Sequence, residues 1–200
     1  MQLILATRNP HKRHEIAHIL QSDVVVRDLT AYPEVPEIEE NGASFEENAT
    51  FKASKVSKQL PGLVVADDSG LEVDALGGAP GIYSARYAGR NASDKDNIAK
   101  LLVELAKVNR DSDHRRARFR CVLAAARDGR VLSTVEGIVK GRIAEEPRGS
   151  HGFGYDPVFV PEGFEETFAE MSGESKNKIS HRANAICNLH SQLPILYGKF

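Results

Sequence analysis

No stretch of this chain is apolar for long enough to cross a membrane. Its opening residues, MQLILATRNPHK, hold too short an apolar run for a secretory signal, so the expected location is the cytoplasm, with no membrane partner. Cysteine is scarce: Cys121 falls in an apolar strand pattern and Cys187 in a helix pattern, with no CxxC or Cys/His spacing. Nothing in this spacing suggests zinc, and two reduced, buried thiols are expected. Net charge is nearly absent, at -2. That removes the basic footprint of a nucleic-acid partner while leaving room for a nucleotide, which needs only a local cluster of cations. The one basic stretch, RDSDHRRARFR at residues 110–120, alternates with apolar residues and reads as a solvated strand face. Internal repeats and low-complexity linkers are missing, and so is the GxxxxGK[ST] phosphate loop.

What is present suits one folded domain over residues 1–200, with 41% hydrophobic residues to fill a core. LILAT, residues 3–7, reads as a buried strand ending in the turn RNPHK. A helix with Ile16, Ile19 and Leu20 on its inner face follows, then the strand VVV at 24–26. Ser44 with Glu47 fits a capping box ahead of a helix whose apolar arc is Phe45, Ala49, Ala53, Val56 and Leu60. Lys52 lies about 20° outside that arc, placed to reach from the edge of the core. LVVA, residues 63–66, predicts a strand ending in Asp67 and Asp68. A Ser69-Gly70 turn and a long glycine-rich loop to residue 89 are expected next. Ser93 and Asp96 cap another helix. Residues 117–143 form a hairpin turning at Asp128-Gly129, PVFV adds a strand, and SHRANAICNLHSQL closes the chain as one helix with Ile179, Ala183, Ile186 and Leu193 in phase. The expectation is an α/β fold: a long, mixed, twisted sheet flanked by helices, in two lobes around a central nucleotide-binding cleft.

Four segments could carry chemistry. Thr7, Asn9 and Lys12 bracket a helix start, where free N–H groups and a lysine suit a phosphate. Glu39 and Glu40 lie on an acidic loop, and Asp67 and Asp68 sit on a strand, where successive residues face opposite ways, so only one aspartate points into a given site. Carboxylates of this kind suit Mg²⁺, which takes one or two of them together with phosphate oxygens and water. GSHGFGYDPVF, residues 149–159, sets an aromatic ring between glycines, able to hold a purine. Lys176, His181 and Arg182 are donors near a helix start.

The motifs TRNPHK, SFEENATFKA, ADDSGLEVDALGGAPGIYSARYAG, GFGYDPVF and ISHRA, in that order over residues 3–183, resemble the inosine/xanthosine triphosphate pyrophosphatases. The resemblance implies a homodimeric α/β enzyme that uses Mg²⁺ to cleave non-standard purine triphosphates (ITP, dITP, XTP) to monophosphate and pyrophosphate. It implies a phosphate-binding segment of Thr7, Arg8, Asn9, Pro10, His11 and Lys12. Arg8 and His11 stand where relatives carry smaller residues, so their backbone rather than their side chains is assigned to phosphate. Glu40 and Asp68 would hold the metal, Asp68 acting also as general base. Lys52 would touch the triphosphate, and Ser69 would lie at the substrate. Phe153, Gly154, Tyr155 and Asp156 would hold the base, with Lys176, His181 and Arg182 reading its edge. The same acids and cations would equally serve a metal-dependent phosphatase releasing orthophosphate. A nucleotide sensor without turnover would not need the carboxylates.

Overall fold

The computed structural model describes residues 1–20, 24–108 and 114–198. Residues 110–113 of the basic stretch lie outside them. The elements run β1 Gln2–Leu5, α1 Pro10–Leu20, β2 Val25–Asp28, α2 Phe45–Ser57, β3 Leu63–Val73, α3 Asp94–Lys107, β4 Arg116–Arg127, β5 Arg130–Ile143, β6 Phe159–Pro161, α4 Gly173–Ile179, α5 His181–His190 and α6 Leu193–Leu196. The strands make one sheet in the order β2-β1-β3-β4-β5-β6. β1 pairs in parallel with both β2 and β3, whereas β5 and β6 are antiparallel, so the sheet is mixed, as expected. No described helix is long and apolar enough to cross a membrane.

The chain packs as two compact units, each built from separated segments: residues 1–68, 121–137 and 181–200 in the first, 69–120 and 138–180 in the second. The first has its own core, in which Leu3 and Leu5 of β1, Ile16 and Leu20 of α1, Leu63 and Val65 of β3, and Ile186 and Leu189 of α5 meet. The second is centred on Leu71, Ile98, Leu101, Phe119, Phe159 and Phe168. Its rings Phe119 and Phe159 pack at 4.7 Å and a tilt of 58°, a favoured aromatic geometry.

Local chemistry explains most boundaries. Ser44 caps α2 by accepting the Glu47 N–H at 3.1 Å, but Glu47 reaches back to the Ala43 N–H rather than to that of Ser44, so only half of the predicted box forms. At α3 both halves of the Ser93/Asp96 box are present. The hairpin turns where expected, with φ of 51° at Asp128 and 79° at Gly129, the positive pair a type I′ turn requires.

Three expectations are corrected. β3 does not end at the aspartates but continues to Val73, with Ser69 and Gly70 extended inside it. Leu71 and Val73 are fully buried, and their alternation with Glu72 outweighs the turn tendency of Ser-Gly. The closing helix is three helices: Ser180, at φ −66° and ψ 157°, separates α4 from α5, and α6 starts at Leu193 beside Pro194. A one-residue break barely disturbs helical spacing, so periodicity alone does not reveal it. Cys187 is exposed, and only Cys121 is a buried thiol.

Candidate active site

In the first unit, the turn between β1 and α1 is organised by Asn9. Its backbone N–H donates to Thr7 Oγ1 at 3.1 Å, while its Oδ1 accepts the N–H groups of His11 at 2.9 Å and Lys12 at 3.3 Å. Pro10 opens α1, where its missing N–H costs nothing. The helix start assigned to phosphate is therefore capped at two of its donors by Asn9 Oδ1. Arg8 turns away: its guanidinium donates to the carbonyls of Leu29 at 2.8 Å and Val35 at 2.5 Å, which pins the loop after β2.

The aspartate pair divides as strand geometry demands. Asp67 is fully buried and forms an ion pair with Lys12 through Oδ1. Its Oδ2 accepts from Arg182 Nε at 3.2 Å and from Cys121 Sγ at 3.1 Å. Burial alone would raise its pKa, but the Lys12 and Arg182 charges hold the carboxyl well below the usual range. Burial likewise works to lower the Lys12 ammonium, and Asp67 more than reverses it, so Lys12 stays protonated. Arg182, 2% exposed, also ion-pairs with Glu15 of α1 through NH1.

Asp68 faces the other way. Its Oδ2 accepts from Asn48 Nδ2 at 3.0 Å, and its Oδ1 accepts no hydrogen bond among the described residues. Burial first, and the Glu40 charge second, push its pKa up to about 6, with Lys52 and Lys12 offsetting part of the rise. Lys52 projects from α2 as a buried ammonium paired with Glu40. Asn48 lies one helical turn before Lys52 and also accepts the Gly42 N–H at 2.7 Å, tying the acidic loop to the helix. Glu40, Lys52, Asn48 and Asp68 thus form one cluster, and Lys12, Asp67, Arg182 and Glu15 a second. Glu15 and Asn48 were not singled out from the sequence. The position of Asn48 four residues before Lys52 was the available signal for it.

Among the described residues, no group of three or more His, Cys, Asp or Glu side chains could hold a metal. Glu40 and Asp68 supply two carboxylates close enough for one to raise the pKa of the other. That donor set fits Mg²⁺ shared with phosphate oxygens, and does not amount to an all-protein cage.

The second unit holds the loop expected to grip a base. Asp156, 2% exposed, accepts the Phe153 N–H at 2.9 Å and the Lys176 ammonium at 2.6 Å. Lys176 lies 5.1 Å from the centroid of the Phe153 ring. Asp94 at the start of α3 accepts the Gly154 N–H at 2.7 Å, and Tyr155 donates to the Ser84 carbonyl at 2.9 Å. At Gly152, with φ 76°, a Cβ would lie 2.0 Å from Asp156 Oδ2, so only glycine lets the loop close over that carboxylate. Ser84 Oγ also caps the Leu71 N–H, fastening the glycine-rich segment to β3. Ser69 lies within β3, on the second unit's side of the boundary. His181, buried, opens α5 in the first unit.

A family model described as the Ham1 family matches residues 3–192. A dITP/XTP pyrophosphatase of Bacillus licheniformis is 50% identical over 193 residues, covering 96% of this chain and 97% of its own. One from Bacillus subtilis is 49% identical, covering 96% of each. The solved Ham1 protein of Staphylococcus aureus superposes with a TM-score of 0.84 at 42% identity, over 96% of this chain and 98% of its own.

Proposed function

The chain belongs to the Ham1 family, and from that premise we propose that it hydrolyses non-standard purine nucleoside triphosphates (ITP, dITP and XTP) to the monophosphate and pyrophosphate, with Mg²⁺. Two named dITP/XTP pyrophosphatases near 50% identity along nearly the whole chain support the substrate class. The structural observation that carries the chemistry is the split of the aspartate pair. Asp67 is locked as a permanent anion by two cations, whereas Asp68 keeps one oxygen open and a pKa near 6.

A carboxylate with that pKa is largely ionised at neutral pH yet far more basic than an ordinary aspartate, which suits a general base. Asp68 accepts a proton from the attacking water while Asn48 holds its other oxygen, so that the water is aimed at the α-phosphorus. Lys12 and Lys52 offer the cations that stabilise charge on the departing pyrophosphate. Glu40 and Asp68 would hold Mg²⁺, which when bound supplies further positive charge to the phosphates. The Ser69 hydroxyl, and the His11 and Lys12 N–H groups once a phosphate displaces Asn9 Oδ1 from them, are the further phosphate donors in this reading.

For the base, Phe153 offers a ring face, Gly154 and Tyr155 the loop backbone, and Lys176 and His181 donors for a 6-oxo group. Adenine carries a 6-amino donor there and would leave such donors unpaired, a mismatch that can reject a substrate by roughly 10⁴–10⁵. The Arg182 guanidinium is committed to two carboxylates. A cytoplasmic homodimer completes the proposal, on the strength of the resemblance. The test is product analysis with Mg²⁺ and dITP beside ATP and GTP. dIMP with pyrophosphate and little turnover of ATP or GTP supports the reading. dIDP with orthophosphate would instead make the protein a phosphatase.

A further inference from the structure

Four buried or half-buried side chains of the first unit form a line of alternating charge: Glu15, Arg182, Asp67, Lys12. Each is paired to the next, Glu15 with Arg182 NH1, Arg182 Nε with Asp67 at 3.2 Å, and Asp67 with the Lys12 ammonium. Lys12 and Glu15 stand three residues apart on α1 and so share a face, while Asp67 comes from β3 and Arg182 from α5. The line therefore ties three elements together at a single point. Side-chain exposure rises from 0% at Asp67 and 2% at Arg182 to 12% at Glu15 and 18% at Lys12, the more exposed of the two ends. Of the three donors on the Lys12 ammonium, Asp67 takes one, and no other hydrogen-bond partner of Lys12 occurs among the described residues.

We propose that Glu15 and Arg182 are positioning residues that act through Asp67 to hold the Lys12 ammonium ready for the triphosphate, a role that rests on the function given above. A lysine is costly to order, and a ligand that must immobilise it binds more weakly than one that meets it already fixed. Glu15 is what allows this. With a carboxylate of its own, Arg182 needs only one oxygen of Asp67, and Lys12 keeps the other. Without Glu15, Arg182 and Lys12 compete for Asp67, and the fork geometry of the guanidinium takes both oxygens. The positioning account makes a prediction opposite in sign to a simple field effect. Removing a negative charge from a site for a polyanion should tighten binding, whereas loosening Lys12 should weaken it.

The test is Glu15→Gln, which keeps the shape and removes the charge. Melting temperatures of both proteins establish that the variant folds. The KM for dITP and the inhibition constant of pyrophosphate should each rise about tenfold, the scale of coupling between adjacent charged groups, and kcat should fall as well, because Lys12 also meets the charge on the departing pyrophosphate. Inhibition by dIMP, which lacks the β- and γ-phosphates, should not change. In a Lys12→Met background the same substitution should add no further rise. Should Glu15→Gln fail to fold, Glu15→Asp, which keeps the charge on a shorter stem, should give a smaller rise that also vanishes in Lys12→Met. An unchanged or lowered KM, a uniform shift that includes dIMP, or an equal rise with and without Lys12 would overturn the proposal. Failure of the underlying function would appear separately, as wild-type protein that does not convert dITP to dIMP.

Discussion

Gly137 in β5 faces the start of α5, and a methyl group there has nowhere to go. A Cβ on Gly137 would lie 2.1 Å from the His181 carbonyl oxygen, 2.2 Å from the Ala185 nitrogen and 2.9 Å from the Ala185 Cα, where ordinary contact begins at 3.4 Å. All three are backbone atoms, so no rotamer change relieves the clash, and the first turn of α5 must move by more than an ångström. Overpacking of this kind costs about 1–3 kcal/mol. Alanine loses less backbone entropy on folding than glycine does, which returns roughly 0.5–1 kcal/mol of that. The net cost is then about 0.5–2 kcal/mol, and at roughly 2–4 °C per kcal/mol for a chain of this size Gly137→Ala should lower the melting temperature by about 1–8 °C. The moving turn carries His181 and Arg182, so KM for dITP should rise in the same variant. Gly173→Ala is the control: nothing lies within 4 Å of its Cβ, and it should be neutral or mildly stabilising at the start of α4. Differential scanning calorimetry and steady-state kinetics on the two variants decide it. A Gly137→Ala protein with wild-type melting temperature and KM would refute the packing argument and the placement of α5.

Asp68 makes the stability of the metal-free protein depend on pH between its ordinary and its folded pKa. Its folded pKa of about 6 lies above its ordinary 3.8, so stability is lost as pH rises between those values, roughly 3 kcal/mol at 1.36 kcal/mol per unit. Asp67, held well below 3.8, adds stability that is lost only at more acid pH, outside that window. Asp68→Asn should therefore melt higher than wild type at pH 8 without Mg²⁺ and should retain almost no turnover. Added Mg²⁺ should raise the wild-type melting temperature more at pH 8 than at pH 5. Asp156→Asn leaves the Lys176 ammonium buried without its carboxylate, which should cost about 3–5 kcal/mol, read from the urea midpoint, and should raise KM through the Phe153 loop. Titration with an aromatic disulfide reagent should modify one thiol quickly in the native protein, Cys187, because Cys121 is buried and its pKa is raised.

Capping and periodicity made much of this fold legible. Ser93 with Asp96, Asp128 with Gly129, and the arc Phe45-Ala49-Ala53-Val56 each stand where local rules put them. The opposed faces of Asp67 and Asp68 also followed from strand geometry alone. What stayed hidden depends on partners distant in sequence. Ser69-Gly70 reads as a turn unless the Leu71 N–H is known to meet Ser84, thirteen residues on. The break at Ser180 follows from which core each flanking helix joins: Ile179 packs in the second unit, Ile186 in the first. The sequence assigns Arg182, beside His181, to the edge of a base, and only the fold brings Asp67 and Glu15, 115 and 167 residues away, to its guanidinium. Glu15 carried no signal of its own, since a lone glutamate on an amphipathic helix reads as surface.

The most direct test of the central claim, that Asp68 activates a water for attack on the α-phosphorus, is hydrolysis of dITP in ¹⁸O-labelled water, with mass analysis of both products. The account predicts one labelled oxygen in dIMP, none in pyrophosphate, and loss of the labelled product in Asp68→Asn. Label in pyrophosphate would place the attack on the β-phosphorus, and label in orthophosphate on the γ-phosphorus; either result would contradict it.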